Sequence, residues 1–258
     1  MGKIDRETII NLIRDRFISM NEVHAYWLEG ADSLSAVDEY SDIDIWLDVE
    51  DGNEEMVFKI AEEELSKLGN LDFKFSVDHK HPKIYQNYYH IEGTSEYLII
   101  DFCIQSHSRD RDEVKFVEGD ILEFPKVIFD KSAVITILEN EEQIDIDLIK
   151  NLINEIIAKY KQHSRVLKYV YRNNYPEAFI YYLKYVADPL VELLRIKYTP
   201  KYHYLHFIHI SNHIPKEEIR RIEYYYQIST LNDIRTKTIE AKDICNRLIE
   251  EIEEIYRL

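Results

Sequence analysis

The spacing of hydrophobic residues divides the chain into two parts with different predicted structures. In the first part, apolar residues three and four apart over 5–20 predict a helix with Asp5 as its N-cap. An apolar run over 24–28, a turn at Gly30 and a run beginning at Asp42 predict two strands joined by a loop. The pattern then predicts a helix over 54–68 and strands over 71–77, 84–90 and 97–105. This order is typical of an α+β domain.

In the second part the strand pattern is lost and helical periodicity replaces it. One apolar stripe runs over 148–160, and Pro176 marks the first turn of a further helix that extends to residue 198, since proline is favoured in a first turn. The final segment, 230–256, has apolar residues at alternating steps of three and four, which suits packing in a helical bundle. We therefore expect a mixed domain over 1–142 and an all-α domain resembling a four-helix bundle over 143–258.

The composition indicates a folded protein with a substantial core. The length of 258 residues suits one large domain or two small ones. The hydrophobic fraction, 45% of the residues, is enough to build a core. The two cysteines, Cys103 and Cys245, have no partner at metal-ligand spacing, and this usage suits the reducing cytoplasm. The N-terminal segment is charged and amphipathic, and no run approaches about 18 apolar residues, so we expect neither export nor a membrane span.

The formal net charge of −17 at pH 7 narrows the classes of partner. Proteins that bind DNA or RNA owe much of their affinity to Lys and Arg side chains that neutralise phosphates. A nucleic-acid substrate is therefore disfavoured, whereas an acidic surface attracts cations and would concentrate a cationic small molecule. Acidity that serves solubility alone is the alternative.

Three acidic residues form a candidate metal site. Asp42 and Asp44 are two apart at the start of a predicted strand, so their side chains point to one face while Ile43 points to the other. Asp101 lies within a later apolar strand, where an ionised carboxylate is costly unless it is paired. Because hard cations such as Mg²⁺ prefer oxygen ligands, the three acids predict a Mg²⁺ site. The alternatives are a solvated edge strand and, at Asp101, a simple salt bridge.

These acids belong to a longer pattern: Gly30-Ala31, ten further residues, Asp42-Ile43-Asp44, and the later Asp101. The pattern resembles the active-site motif of the nucleotidyltransferase superfamily, which includes DNA polymerase β and the aminoglycoside and lincosamide nucleotidyltransferases. The resemblance covers residues 20 to 105, and its most specific portion is 40–45. It implies a small mixed sheet flanked by helices, with a helical bundle after it as in the antibiotic-modifying members.

The resemblance also implies a reaction and a role for each residue. Asp42 and Asp44 would hold two Mg²⁺ ions, and Asp101 would complete the site. The general base would be Asp101 or an acid from the C-terminal half. The residues that would contact the nucleotide are Gly30, Ala31 and Ser41. The implied reaction moves NMP, foremost AMP from ATP, to a hydroxyl of a small molecule, for example an aminoglycoside-like antibiotic.

Two features depart from the usual motif. Ala31 stands where the family often has serine, so the hydroxyl that contacts the leaving phosphates is missing. The loop over 32–41 has no Lys or Arg and instead has three acids, Asp32, Asp38 and Glu39, which are unfavourable beside a triphosphate. The candidate compensating cations lie elsewhere in the sequence, at Lys83, Arg165, Lys168, Arg195 and Lys197. The alternative for each is a solvated or ion-paired surface residue.

Other functions stay open at this point. The missing loop cations favour a catalytically weak module that senses a nucleotide or binds a partner, and a protein adenylyltransferase is the third hypothesis. Retention of Asp101 favours an enzyme, since nucleotide binding alone does not need it. The aromatic and histidine residues of 202–213, with Glu192, form a candidate acceptor cleft. A homodimer is also open, because the bundle can bury its apolar seam within one chain or across two.

Overall fold

A computed structural model of the protein describes residues 4–34, 36–121, 124–140 and 144–258. The chain divides into two compact units, 1–141 and 142–258. The boundary that we expect after residue 142 lies outside the described residues. The first unit contains a mixed sheet with helices, and the described part of the second unit contains helices alone. The α+β class predicted from the sequence is therefore confirmed.

The first unit is built around one large sheet. The elements, in chain order, are α1 (Arg6–Phe17), β1 (Val23–Leu28), α2 (Gly30–Ser33), β2 (Ile43–Val49), α3 (Glu54–Leu65), β3 (Leu71–Val77), β4 (Ile84–Ile91), β5 (Ile100–Ser106), a 3-10 turn (Arg111–Glu113), β6 (Lys115–Val117), β7 (Lys126–Asp130) and β8 (Thr136–Leu138). The strands of the large sheet are ordered β3-β4-β5-β2-β1-β7, while β6 and β8 pair with each other. Strands β2 and β5 are parallel, and the other neighbours in the large sheet are antiparallel.

The alternation of side chains in β2 decides which face of the sheet is buried. Ile43, Ile45 and Leu47 are fully buried in a core to which α1 and α3 contribute their apolar stripes. Asp44 and Trp46 point to the opposite face, because successive residues of a strand point to opposite sides. The N-cap predicted for α1 is present, since Asp5 accepts a hydrogen bond from the backbone N–H of Thr8 (2.9 Å). The acid-bearing face is thus the one that the helices leave uncovered.

The two acid-bearing strands begin later than the sequence pattern predicts. Asp42 immediately precedes β2, and β5 begins at Ile100 instead of Tyr97. The reason is a turn before β5, in which the backbone N–H of Leu98 donates to the carbonyl of Ser95 (2.9 Å). Asp101 is therefore the second residue of its strand, not a residue in its middle.

The second unit is a bundle of helices. The helices are α4 (Ile146–Tyr160), α5 (Ser164–Tyr171), α6 (Tyr175–Tyr182), α7 (Asp188–Tyr198), α8 (Ile210–His213), α9 (Lys216–Tyr226) and α10 (Leu231–Tyr256). The long C-terminal helix α10 packs against α5, α6 and α7, and α4 packs against α7. The helix predicted from Pro176 to residue 198 is divided by a π-helical turn, Leu183–Ala187, just before Pro189, whose ring nitrogen has no hydrogen to donate. No helix in the described part of the chain is long and apolar enough to cross a membrane.

Candidate active site

The parallel pairing of β2 with β5 brings two of the predicted acids side by side. Asp44 is directly opposite Asp101 in the register of the two strands, and Asp101 is opposite Tyr88 of β4 on its other side. The backbone N–H of Glu29 donates to the carbonyl of Asp44 (3.1 Å) and so borders this row. Because these side chains share one face, the sheet presents a row of polar groups at the start of the parallel pair. We call Asp42, Asp44 and Asp101 the acid row.

The carboxylates of this row repel one another. Burial, followed by the nearby carboxylates of Asp42, Asp101 and Glu29, raises the pKa of Asp44 to about 7. Burial is also the main cause that raises the pKa of Asp101, although a hydrogen bond from Gln86 opposes it. Asp42 itself is exposed. The site therefore has an excess of negative charge that a bound cation would relieve.

Two neighbouring side chains hold the carboxylate of Asp101. The side-chain amide of Gln86 on β4 donates to both carboxylate oxygens (2.8 and 2.9 Å), and the thiol of Cys103 donates to one of them (3.5 Å). Each carboxylate oxygen has a second lone pair, so these bonds still permit a metal ligand role. Sequence reasoning missed Gln86, because one sequence shows the alternation in β4 but not its register with β5.

Gly30 occupies a position that no other residue can take without a shift. Its φ of +60° lies in the left-handed region, and a Cβ there would overlap the carboxylate of Asp44. Glycine is thus required both by the backbone conformation and by space. The backbone at Gly30 and Ala31, which begins the short helix α2, therefore packs directly against the acid row.

Arg6 of α1 holds both ends of the acidic loop. Its guanidinium pairs with the carboxylate of Asp32 and donates to the backbone carbonyls of Ser41 (2.9 Å) and Asp42. Asp32 is 5% exposed, and the ammonium of Lys126 lies 3.7 Å from its other oxygen. Arg6 and Lys126 are thus the cations that compensate Asp32. Nothing in the sequence pattern pointed to them, since Arg6 reads as one more charge on an amphipathic helix.

The remainder of the acidic loop is bonded to itself. The hydroxyl of Ser41 donates to the carboxylate of Asp38 (2.8 Å), and the backbone N–H of Tyr40 does so as well (3.0 Å). The bond from Ser41 is the first cause that lowers the pKa of Asp38. Ser41 is therefore engaged within the loop, and its contact with a nucleotide stays a prediction.

The cations expected from the sequence as compensators have other partners. Lys83 donates to the carbonyl of Ser108. The other four belong to the second unit. There Arg165 donates to Gln162 and Tyr185, Lys168 lies over the ring of Tyr169, Arg195 donates to the carbonyl of His206, and Lys197 pairs with Glu251. Among the described residues of the first unit, no contact joins Lys83 to the acidic loop.

The three predicted metal ligands are neighbours without forming a closed ligand cluster. Among the described residues, the three side chains whose ligand atoms all lie within 4.8 Å of one another are His24, Asp48 and His107. Asp42, Asp44 and Asp101 do not meet that spacing.

A cavity of about 190 Å³ lies within the second unit. Of the residues that the sequence suggests as an acceptor cleft, Glu192, His203, Tyr204 and His206 line it. The ammonium of Lys159 pairs with Glu192 there (2.8 Å). The other lining residues are Leu152, Glu155, Ile156, Lys159 and Ile196. Tyr202, Phe207, His209 and His213 of the expected cleft do not line it.

The fold and the acid row define a class of protein: a mixed sheet with an acid pair at the start of one strand, a third acid on its parallel neighbour, and a helical second unit. This is the architecture that the motif resemblance implies. No family model matches the chain, and no curated protein matches it.

Among solved structures, the chain is similar to an aminoglycoside 6-adenyltransferase from Bacillus subtilis, with 13% identity, 97% of this chain and 91% of that chain covered, and a TM-score of 0.38. It is also similar to an Enterococcus spectinomycin adenyltransferase solved with ATP and spectinomycin, with 12% identity, coverage of 98% and 100%, and a TM-score of 0.34. Both proteins are adenyltransferases of antibiotics by name, the group that the motif resembles. Likenesses this weak add no argument about function, which rests on the residues of the site.

Proposed function

We propose that this protein is a Mg²⁺-dependent nucleotidyltransferase that moves NMP, with AMP from ATP as the first candidate, to a hydroxyl of a small molecule. The observation that supports this most directly is the register of the parallel strands, in which Asp44 lies opposite Asp101. Asp42 precedes the same strand and acts electrostatically on both. In this proposal residues 1–142 form the catalytic domain and 143–258 the helical domain.

The residues present fit the proposed metal ions. Asp42, Asp44 and Asp101 supply carboxylate oxygens, which are the ligands that Mg²⁺ prefers, and their mutual repulsion favours a cation. Arg6, the cation that acts on Asp44, is itself held by Asp32 and by backbone carbonyls. Two bound Mg²⁺ ions would neutralise charge on the triphosphate and lower the pKa of the acceptor hydroxyl.

The side chains of the site have distinct proposed roles in the reaction. The acceptor oxygen bonds to the α-phosphorus while the bond from that phosphorus to the bridging oxygen breaks, and pyrophosphate leaves. Asp101 accepts the proton of the acceptor hydroxyl, and Gln86 and Cys103 position its carboxylate for that transfer. In this proposal the backbone at Gly30 and Ala31 contacts the leaving phosphates, and a side chain at Gly30 would overlap the carboxylate of Asp44 beside it.

The proposed acceptor is a cationic small molecule. A net charge of −17 attracts cations over a distance of several ångströms at physiological salt. Within the second unit, Glu155 and Glu192 face a cavity, and Glu192 is paired there with Lys159. Aminoglycosides carry several amines and hydroxyls, so they offer both the charge and the nucleophile that this proposal needs.

The test is pyrophosphate release from ATP, GTP, CTP and UTP with Mg²⁺ or Mn²⁺, across a panel of aminoglycosides and lincosamides. We expect acceptor-dependent release from the wild type, reduced at least about 100-fold in Asp44→Asn and in Asp101→Asn. Asp72→Asn is the matched control, because Asp72 lies on the edge strand β3 of the same sheet. Equal rates in all three variants would overturn the assignment of the site.

A nucleotide-sensing or partner-binding module is the second candidate. The observation that favours it is the state of the acidic loop, in which the hydroxyl of Ser41 is bonded to Asp38 and Ala31 offers no hydroxyl. ATP binding without pyrophosphate release across the whole panel would support this candidate. Labelling of a protein by ATP, with no small-molecule acceptor, would instead support a protein adenylyltransferase.

A further inference from the structure

A second cluster of ligand-type side chains lies on the same strand pair as the acid row, near the other end of β2. The ligand atoms of His24, Asp48 and His107 all lie within 4.8 Å of one another. Asp48 is four residues after Asp44, on the same face of the strand, which places the two about 13 Å apart along it. The cluster is therefore separate from the proposed catalytic site.

A β-bulge brings His24 to this cluster. The register between β1 and β2 shifts between Val23 and Ala25, and these two residues belong to different cores on opposite faces of the sheet. His24 is the extra residue of the bulge, a device that redirects a side chain out of the regular alternation. Its ring stacks on that of His107 with centroids 3.8 Å apart.

His107 reaches the cluster from the end of β5. It follows the last residue of that strand, and its backbone N–H donates to the carbonyl of Val49 at the end of β2 (2.7 Å). Its Nδ1 lies 2.5 Å from Oδ1 of Asp48. Three parts of the chain that are distant in sequence therefore meet here.

Further contacts orient the ligand groups. The side-chain amide of Gln105 donates to Oδ2 of Asp48 (2.7 Å). Nδ1 of His24 lies 3.0 Å from the hydroxyl of Ser132, and its Nε2 lies 3.0 Å from a carboxylate oxygen of Glu50. Metal-binding histidines and carboxylates in proteins are held by outer hydrogen bonds of this kind.

The burial of Asp48 calls for positive charge. Asp48 is 1% exposed, and an ionised carboxylate is costly in such a place unless a cation compensates it. Arg111 contacts the cluster at Nε2 of His107 (3.5 Å), and the amide of Gln105 supplies a hydrogen bond to Asp48 but no positive charge. A divalent ion between Asp48 and the histidines would supply it.

We propose that His24, Asp48 and His107 bind one Zn²⁺ ion, with Glu50 as a hydrogen-bond partner of His24. Two imidazoles and carboxylate oxygens form a donor set that suits Zn²⁺, whereas the all-carboxylate row at Asp44 suits Mg²⁺. The ion joins the start of β1, the end of β2 and the residue after β5, so its role is structural. This inference does not depend on the proposed transferase activity.

The experiment titrates Zn²⁺ into chelator-treated full-length protein by calorimetry, in the presence of excess Mg²⁺, and records thermal unfolding with and without Zn²⁺. We expect one tight site and a Tm that rises with Zn²⁺. In His24→Asn and His107→Asn, affinity falls at least about 100-fold and the Tm response is lost. Co²⁺ serves as a spectroscopic probe, whose visible absorption reports imidazole and carboxylate coordination.

The matched control is His90→Asn. Nδ1 of His90 lies 2.6 Å from Asp72, a pair of the same kind as His107 and Asp48, but it belongs to no such three-ligand group among the described residues. His90→Asn therefore keeps the Zn²⁺ response. Glu50→Gln, at an exposed position where folding is not at risk, weakens Zn²⁺ binding about 10-fold. Absence of a tight site in the wild type, or the same affinity in Glu50→Gln, His24→Asn and His107→Asn as in the wild type, overturns the proposal.

Discussion

The two ends of the β2–β5 pair place the same residue type in opposite electrostatic situations. Asp44 and Asp48 lie on one face of β2, and each is opposite a residue of β5 in the register. Opposite Asp44 is Asp101, a second carboxylate, whereas opposite Asp48 is Gln105, whose amide donates to it (2.7 Å). The identity of one cross-strand neighbour thus decides whether a carboxylate is repelled or bonded.

Between the two ends, a pair of stacked tryptophans lies on this face of the sheet. The indoles of Trp27 and Trp46 stack with centroids 5.7 Å apart, and Trp27 is buried against Phe116. The two carboxyl groups are about 13 Å apart along the strand, a distance at which substitutions usually have independent effects on stability. Each end can therefore be altered without changing the other, which the variants below exploit.

The largest effect is expected at Arg6, which holds the loop between Asp32 and Asp42. Arg6→Gln leaves the buried carboxylate of Asp32 with Lys126 at 3.7 Å as its partner, and we expect a loss of about 3 kcal/mol in the free energy of unfolding. Urea denaturation measures it. Arg14→Gln on the same helix is the control, because Arg14 pairs with exposed Asp15, and it should change little. Equal stability of the two variants would contradict the role given to Arg6.

Gly30→Ala tests how closely the backbone approaches the acid row. Its Cβ would overlap the carboxylate of Asp44 at a φ of +60°, so both strain and overlap destabilise the fold. Gly93→Ala has a comparable φ of +84° with open space around the new methyl group and isolates the strain. We expect Gly30→Ala to lose about 2 kcal/mol more than Gly93→Ala in urea denaturation. No excess loss would mean that the carboxylate moves away freely.

Opposite signs of stability change are expected at the two aspartates in the presence of a chelator. Asp44→Asn removes a repelled carboxylate and should raise the free energy of unfolding by about 1 kcal/mol. Asp48→Asn puts an amide where His107 and Gln105 find a carboxylate acceptor, and should lower it by about 1–3 kcal/mol. Urea denaturation of the two variants beside the wild type measures both changes. A change of the same sign in the free energy of unfolding at both positions would contradict the electrostatic difference between the two ends.

The gain from Asp44→Asn should also depend on pH. The folded pKa of Asp44 is raised to about 7, so between pH 4 and 7 the folded protein retains a proton that the unfolded chain releases. Its stability falls as pH rises through that window. Asp44→Asn removes this contribution, so its advantage should be larger at pH 8 than at pH 4, as measured by urea denaturation at the two values. An advantage independent of pH would contradict the raised pKa.

The smallest effect is expected at Lys126. Its ammonium is 3.7 Å from Asp32 and its side chain is 46% exposed, so solvent screens the attraction. Lys126→Gln should cost less than about 1 kcal/mol, and less at high salt. Denaturation at two ionic strengths measures this, with Lys115→Gln as a control at a surface pair with Asp112. A cost near that of Arg6→Gln would show that Lys126, too, is an essential partner of Asp32.

Periodicity was sufficient to predict the fold class, the cap at Asp5 and the face on which Asp44 lies. The cost of an ionised carboxylate in an apolar strand pointed to Asp101, which the register of β2 and β5 places opposite Asp44. The partners of these residues could not be predicted. Arg6 contacts residues 26 to 36 positions away, and the spacing of residues along one chain does not show which strand positions pair. His24 was missed for a related reason, since the bulge that redirects it has no signature in the sequence.

The parallel pairing of β2 with β5 also has a consequence for the order of folding. Residues 29–42 join β1 to β2, a connection shorter than the one between β2 and β5, so Asp42 and Asp44 can be positioned first. Asp101 joins them only when residues 100–106 pair with residues 43–49, which requires closing a loop that contains α3, β3 and β4. Contacts so distant in sequence form slowly. The acid row is therefore completed late in folding, and a substitution in β3 or β4 that slows this closure would delay the appearance of the site without touching any of its residues.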